Sequence, residues 1–279
     1  MRARLSTFRW FPGRESPETR TAPLRLAVIG TPRSGNSWLR RLVATGLSIG
    51  GEDGREIAVH DPDAIDWAAD VPRSIVQVHM RRDEGRSRLL ERHGVRVLVP
   101  SRHPFDTLIS ILQYAIHAPQ ESAQWLLGEG GNEYGIRGLD PCHSGFLEYC
   151  RSERASALLG VSSSWLGEPS AVRVRYEDLS AATEATLDRV GRGIGQKPRI
   201  GWAESVEKNS KESLSGMFGP GHVWKGQPGL WRSLLTRNAA SALLEAHGSL
   251  IEAQGVPAEA DPELTPERAL ANWRSLTGR

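Results

Sequence analysis

The segment Gly30-Thr-Pro-Arg-Ser-Gly35 follows a short apolar run and precedes a stretch with helical spacing. Glycines bracketing such a junction let backbone N–H groups converge, and the positive end of the following helix adds to them; both favour phosphate. The spacing is that of the ATP- and GTP-binding loop, but Asn36 stands where that loop carries its lysine, and the cation lies inside the loop as Arg33. Without a lysine to reach the terminal phosphates, a kinase or NTPase is disfavoured. An anion with one phosphate and one further charged group fits better, with Ser34, Gly35, Asn36, Ser37 and Trp38 around it. A second basic residue occupies an equivalent place. Arg102 follows the apolar run Val95–Val99, and Ser110 lies two turns into the helix that His103-Pro104 opens. Open α/β sheets bind ligands beyond their strand ends, so Arg102 and Ser110 form a second candidate anion site. His79 ends the run Ser74–His79, and an imidazole there has the basicity to accept a hydroxyl proton. His60, His143 and His222 are rivals without that placement, and Glu52 or Glu56 could serve instead.

These groups need a scaffold that gathers strand ends. Leu24–Ile29 is a β-branched apolar run bounded by Pro23 and Gly30, the profile of a buried strand. Beyond the loop, Trp38, Leu39, Leu42, Val43 and Leu47 recur at near-helical spacing. Strand, glycine loop and helix make half of a parallel βαβ unit. The grammar repeats at Ser74–His79, at Val95–Val99 with its following helix, and at Val172–Tyr176, which runs into Glu177-Asp178. Residues 118–145, rich in glycine and holding Trp125, read as a long insertion or surface loop, and 213–230, with Trp224, as another loop. Arg237–Gln254 and Thr265–Leu276 predict closing helices. The expected fold is a three-layer α/β/α domain over 24–279, with a central parallel sheet and a P-loop-like nucleotide-binding core. A basic, flexible segment, 1–23, precedes it.

Composition narrows the function classes. The chain has 279 residues, 39% of them apolar, and 35 Lys+Arg against 33 Asp+Glu leave a net charge of +2. Such a balance argues against a bulk nucleic-acid binder. Only four basic residues are Lys (197, 208, 211, 225); the arginine excess reads mainly as genome bias, with guanidinium forks as the expected phosphate contacts. Two cysteines, Cys142 and Cys150, exclude a disulfide scaffold and a cysteine-rich zinc module. No Asp/Glu/His cluster has metal-ligand spacing, so no metal is expected. No apolar run is long enough to span a membrane, and the first residues lack the apolar core of a signal peptide; a cytoplasmic protein is expected.

The motifs together resemble a family. Pro32-Arg-Ser-Gly-Asn-Ser-Trp38 resembles the 5′-phosphosulfate loop of the cytosolic-type sulfotransferases, Pro-Lys-Ser-Gly-Thr-Thr-Trp. Arg102 and Ser110 match the Arg and Ser of that family's 3′-phosphate motif. Tyr176-Glu-Asp-Leu179 resembles the family's Tyr-Glu-Asp-Leu, whose Tyr lies by the adenine. Lys225-Gly-Gln-Pro-Gly-Leu-Trp231 resembles the loop Arg-Lys-Gly-x-x-Gly-Asp-Trp that closes over the 3′-phosphate. The chain looks like a bacterial member. The resemblance implies 3′-phosphoadenosine 5′-phosphosulfate (PAPS) as co-substrate, held by the loop residues with Arg102, Ser110, Tyr176, Lys225 and Gly226. It also implies His79 as base and Arg33 as the cation that assists the leaving phosphate. Four departures stand out: Arg33 replaces Lys, Asn36-Ser37 replaces Thr-Thr, Trp224 replaces the Arg before Lys225, and Leu230 replaces the Asp before Trp231. The expected reaction is in-line transfer of a sulfuryl group to a hydroxyl or amine of a small-molecule, sugar, lipid or natural-product acceptor. Trp125, Tyr134, Trp224 and the 111–145 segment are candidates for the acceptor pocket. The alternatives are a kinase on a related core and an inactive module that binds PAPS or its desulfated product.

Overall fold

The computed structural model describes residues 23–50, 54–69, 71–117, 133–218 and 221–278. Residues 1–22, Glu52, Trp125 and most of the expected glycine-rich insertion lie outside the described residues. Strands β1 (Leu24–Ile29), β2 (Arg55–Ala58), β3 (Arg73–Val78), β4 (Val95–Ser101) and β5 (Val172–Arg175) form one sheet in the order β2-β3-β1-β4-β5. Every pairing is parallel. Helices are α1 (Asn36–Gly46), α2 (Glu84–Arg92), α3 (Pro104–His117), α4 (Ser144–Cys150), α5 (Glu153–Trp165), α6 (Tyr176–Ala181), α7 (Thr183–Gly193), α8 (Trp202–Lys208), α9 (Lys211–Phe218), α10 (Arg237–Gln254) and α11 (Pro266–Thr277).

Apart from Arg25, β1 is apolar because both of its faces are covered. Leu24, Leu26 and Val28 pack with Leu39, Leu42 and Val43 of α1 and Leu187 and Val190 of α7. Ala27 and Ile29 point the other way, toward Leu90 of α2 and Trp165 of α5. A third cluster, Phe105 and Leu112 of α3 with Leu243 of α10 and Trp231 of the preceding turn Leu230–Ser233, carries the helices beyond the sheet. The expected α/β architecture with a central parallel sheet is present.

The path of the chain creates the crevice. From β1 it passes to β2 at the edge, returns to β3 beside β1, and then crosses to β4 on the other flank. That reversal leaves a cleft beyond the C-terminal ends of the central strands.

Local boundaries depart from expectation in four places. β5 stops at Arg175, and Tyr176 opens a helix whose first turn holds Glu177 and Asp178, where carboxylates favour a helix start. His79 lies just past β3 rather than within it. The stretch from 213 is helical through Phe218 because burying Leu214 outweighs the weak propensity of Gly216. The mixed-polarity edge strand β2 carries no period-2 signal that could have announced it. Cys142 precedes α4 and Cys150 ends it, and both are free thiols. Among the described residues, no helix is long and apolar enough to cross a membrane.

Candidate functional site

The phosphate loop is held in an uncommon shape by contacts from distant segments. Arg33 takes the left-handed conformation, φ 68°, and Gly35 follows at φ 91°. The first costs a non-glycine residue about 1–2 kcal/mol. At Gly35 a Cβ would also come within 2.7 Å of the Tyr176 ring, so a side chain is excluded there twice over. The brace is Ser162 of α5: its Oγ accepts from Thr31 N at 2.7 Å and donates to Pro100 O at 2.7 Å, while its own N–H donates to Thr31 Oγ1. Ser34 Oγ donates to Thr31 O at 2.6 Å, and Asn36 Nδ2 donates to the same carbonyl at 2.7 Å. Helix α1 has no side-chain cap and no acidic residue in its first turn, so its leading N–H groups are left to an anion.

Apart from Ser34, which is buried as a brace, every residue singled out for the donor, together with His79, lines one cleft of about 480 Å³. Arg33, Gly35, Asn36, Ser37 and Trp38 come from the loop and α1, His79 from the end of β3, and Arg102 and Ser110 from β4 and α3. Tyr176 and the segment with Lys225 and Gly226 close the far side. The two arginines are linked. Arg102 Nη1 lies 3.4 Å from Arg33 O, its guanidinium stacks over Tyr176 at 4.6 Å, and its Nε is buried without a partner. Arg33 Nε donates to Ser110 Oγ at 3.3 Å, and Nη2 donates to the carbonyls of Gly221 and His222. Burial lowers Arg33 to about 10, which leaves it charged at neutral pH.

Tyr176 ties the far wall to the loop. Its hydroxyl donates to Gly226 O at 3.0 Å, and its ring meets Trp38 edge-on at 6.1 Å. Asp106, which the sequence did not single out, anchors the same wall: its carboxylate accepts from Gly229 N at 2.6 Å and Trp231 N at 3.0 Å. The loop that carries Leu230 in place of Asp is thus fastened from α3.

His79 Nδ1 lies 2.6 Å from Gly30 O. A carbonyl can only accept, so Nδ1 carries the proton and Nε2 keeps its lone pair. Burial lowers His79 to about 4 against the raising effect of the Gly30 bond, with His60 adding a smaller push downward. The rivals divide. His143 caps α4, its Nδ1 accepting from Gly145 N, and it is not part of the cleft. Glu56 is bound by Arg40 and Arg41. His60 and His222 both line the cleft, His222 with Nε2 3.3 Å from Ser37 Oγ. Of the acceptor-pocket candidates, Trp224 lines the cleft and Tyr134 does not. Tyr114, which falls within the 111–145 segment, lines it as well, as do Leu214 and Phe218, for which the sequence offered no signal beyond ordinary apolar spacing.

No protein-family model and no curated protein matches the sequence. Solved structures do match. Mouse sulfotransferase SULT7A1 complexed with PAP superposes with a TM-score of 0.60 at 14% identity, covering 82% of this chain and 85% of that one. Retinol dehydratase in complex with androsterone and inactive cofactor PAP aligns at 14% identity with a TM-score of 0.48, over 82% of each chain. Its complex with retinol and PAP aligns at 14% and 0.49, over 83% and 82%. The first of these, reached at so low an identity, is a likeness of architecture, and by it the chain has the sulfotransferase fold.

Proposed function

We propose that the protein is a sulfotransferase that moves the sulfuryl group of PAPS to an acceptor hydroxyl or amine. The observation that carries this reading is the convergence of Arg33 and Arg102, at two strand-to-helix junctions, with the His79 imidazole, whose Nδ1 is fixed on Gly30 O, on a single cleft. The open N-terminus of α1 with Arg33 and Ser37 suits the 5′-phosphosulfate. Arg102, with a buried Nε lacking a partner, suits the 3′-phosphate together with Ser110 and Lys225. Trp38 and Tyr176 supply aromatic surface for the adenine. None of the described residues lining the cleft is acidic, as a donor bearing several negative charges requires. PAP in the mouse neighbour supports the same donor.

In the proposed reaction the acceptor oxygen or nitrogen attacks sulfur, its proton passes to His79 Nε2, and the bond from sulfur to the 5′-phosphate oxygen breaks. Negative charge grows on that oxygen, where Arg33, Ser37 and the loop N–H groups oppose it; such preorganised stabilisation is usually the largest catalytic term. Asn36 in place of the nucleotide-loop lysine disfavours a kinase. Trp224 in place of the family's arginine and Leu230 in place of its aspartate are the departures that favour a module that binds PAP without transfer. The test is a labelled-PAPS transfer screen against extract fractions, with mass spectrometry of whatever gains the label. Transfer establishes the reading, whereas PAP binding with no transfer to any fraction favours the inert module.

A further inference from the structure

The cleft is also lined by polar side chains that neither proposed phosphate site uses. Arg40, one turn beyond Ser37 on α1, lines it and is 7% exposed. Its Nε lies 3.2 Å from Glu56 Oε1, and Arg41 Nη1 lies 2.5 Å from Glu56 Oε2. Two guanidinium groups therefore share one carboxylate, and the trio keeps a net positive charge. That charge is felt inside the cleft. Burial is the main cause that lowers His222 to about 4, and Arg33 and then Arg40 add to it. Gln77 lies on β3, two residues before His79, and lines the same cleft. It is 8% exposed, and its Oε1 is buried without a hydrogen-bond partner. A buried cation in excess and an unpaired carboxamide oxygen each cost free energy until something pairs with them. Folded proteins leave few such groups unpaired.

Resting on the sulfuryl-transfer reading, we infer that the acceptor is an acidic molecule: besides its nucleophilic group it bears an anionic substituent such as a carboxylate, which Arg40 binds, and a hydrogen-bond donor for Gln77. Three cations, Arg33, Arg102 and Lys225, are already matched to the donor's charges. Of the two further cations lining the cleft among the described residues, Lys211 is exposed and donates to Lys225 O at 3.1 Å, whereas Arg40 is buried, and Glu56, shared with Arg41, tempers its charge. A neutral apolar acceptor would bury these side chains, leave the excess positive charge of the trio uncompensated and leave Gln77 Oε1 without a partner.

The experiment compares 4-hydroxyphenylacetate with its methyl ester as acceptors, with the PAP-induced thermal shift measured on each variant to report folding and the donor site. The acid is expected to show a KM about tenfold lower than the ester, the size of one charge-assisted hydrogen bond. Arg40→Gln should shrink that preference to within about twofold, and Glu56→Gln, which frees both guanidinium groups, should enlarge it. The opposite signs keep the test decisive if one variant fails to fold. An equal KM for acid and ester, no preference for the acid at all, or a preference that survives Arg40→Gln unchanged overturns the inference while a PAP shift upholds the donor reading. Absence of any PAP shift in the parent protein overturns the donor reading and this inference with it.

Discussion

At the end of the cleft proposed for the donor the contacts radiate from two neighbouring strand-to-helix junctions, β1–α1 and β4–α3, whereas the end proposed for the acceptor is assembled from pieces far apart in the chain. Arg33, Arg102 and Ser110 are cross-linked to one another and braced from α5 through Ser162. The other end takes Arg40 from α1, Gln77 from β3, His79 from just past that strand, Leu214 and Phe218 from α9, and His222 and Trp224 from the segment after α9. Junctions on a parallel sheet fix charged groups through the ladder itself, so one geometry can be preorganised for one donor. A wall drawn from separate helices and loops can change residue by residue without disturbing the sheet. The division of labour follows: binding strength for the donor is expected from one end, and proton removal and acceptor choice from the other.

Substitutions should separate the two ends. The largest effect is expected from His79→Ala, which should lower kcat about 10²–10⁴-fold while leaving PAP affinity nearly unchanged in calorimetry. If donor affinity collapsed with it, the two ends would not be independent. Because His79 is held near 4, the rate of the parent protein should fall with acid only as pH drops through about 4, and this limb should vanish in the variant. Next in size, Arg102→Ala should weaken PAP by about 2–5 kcal/mol, the cost of removing one partner of a buried hydrogen-bonded charge pair. The loss should disappear for a ligand without the 3′-phosphate, and the acceptor KM should stay in place.

A smaller effect concerns stability. The folded pKa of His79 lies below the ordinary 6.5, so between pH 6.5 and about 4 the unfolded chain binds more protons than the folded one. Stability should therefore fall on acidification across that window, by about 2–3 kcal/mol from this group. Urea unfolding of His79→Gln beside the parent at both ends of the window measures it; parallel pH profiles would contradict the assignment. Smallest is Asp106→Asn, which leaves one of two loop N–H groups without its acceptor. A loss of about 1–2 kcal/mol is expected, read as a lower urea midpoint.

The same contrast explains what the sequence disclosed. The donor end was legible because its chemistry sits beside its scaffold signal: Gly30 and Gly35 punctuate an apolar run and a helical period, and Arg102 closes another run. Of the residues so chosen only Ser34 turned away from the cleft, since its hydroxyl satisfies the Thr31 carbonyl. The braces were illegible. Asp106 and Ser162 act across long sequence separations, and neither residue type nor spacing marks such a contact. The acceptor wall was hidden for a related reason. Arg40 looked like one more charge on an amphipathic helix and Gln77 like an ordinary polar strand residue. Only the fold shows that both line the cleft with His79. The run through Val172–Tyr176 misled by one residue, because a β-favouring tyrosine was placed in a strand although the carboxylates after it favour a helix start.

The central claim is that the two junctions form one site for a nucleotide bearing both a 3′-phosphate and a 5′-phosphate. Thermal or chemical unfolding in the presence of PAP tests it without knowledge of the acceptor. At a hundredfold excess over Kd, PAP should stabilise the chain by about 2.7 kcal/mol, and ATP with Mg²⁺ should do far less. Stabilisation by ATP with Mg²⁺, with no response to PAP or PAPS, would contradict the account.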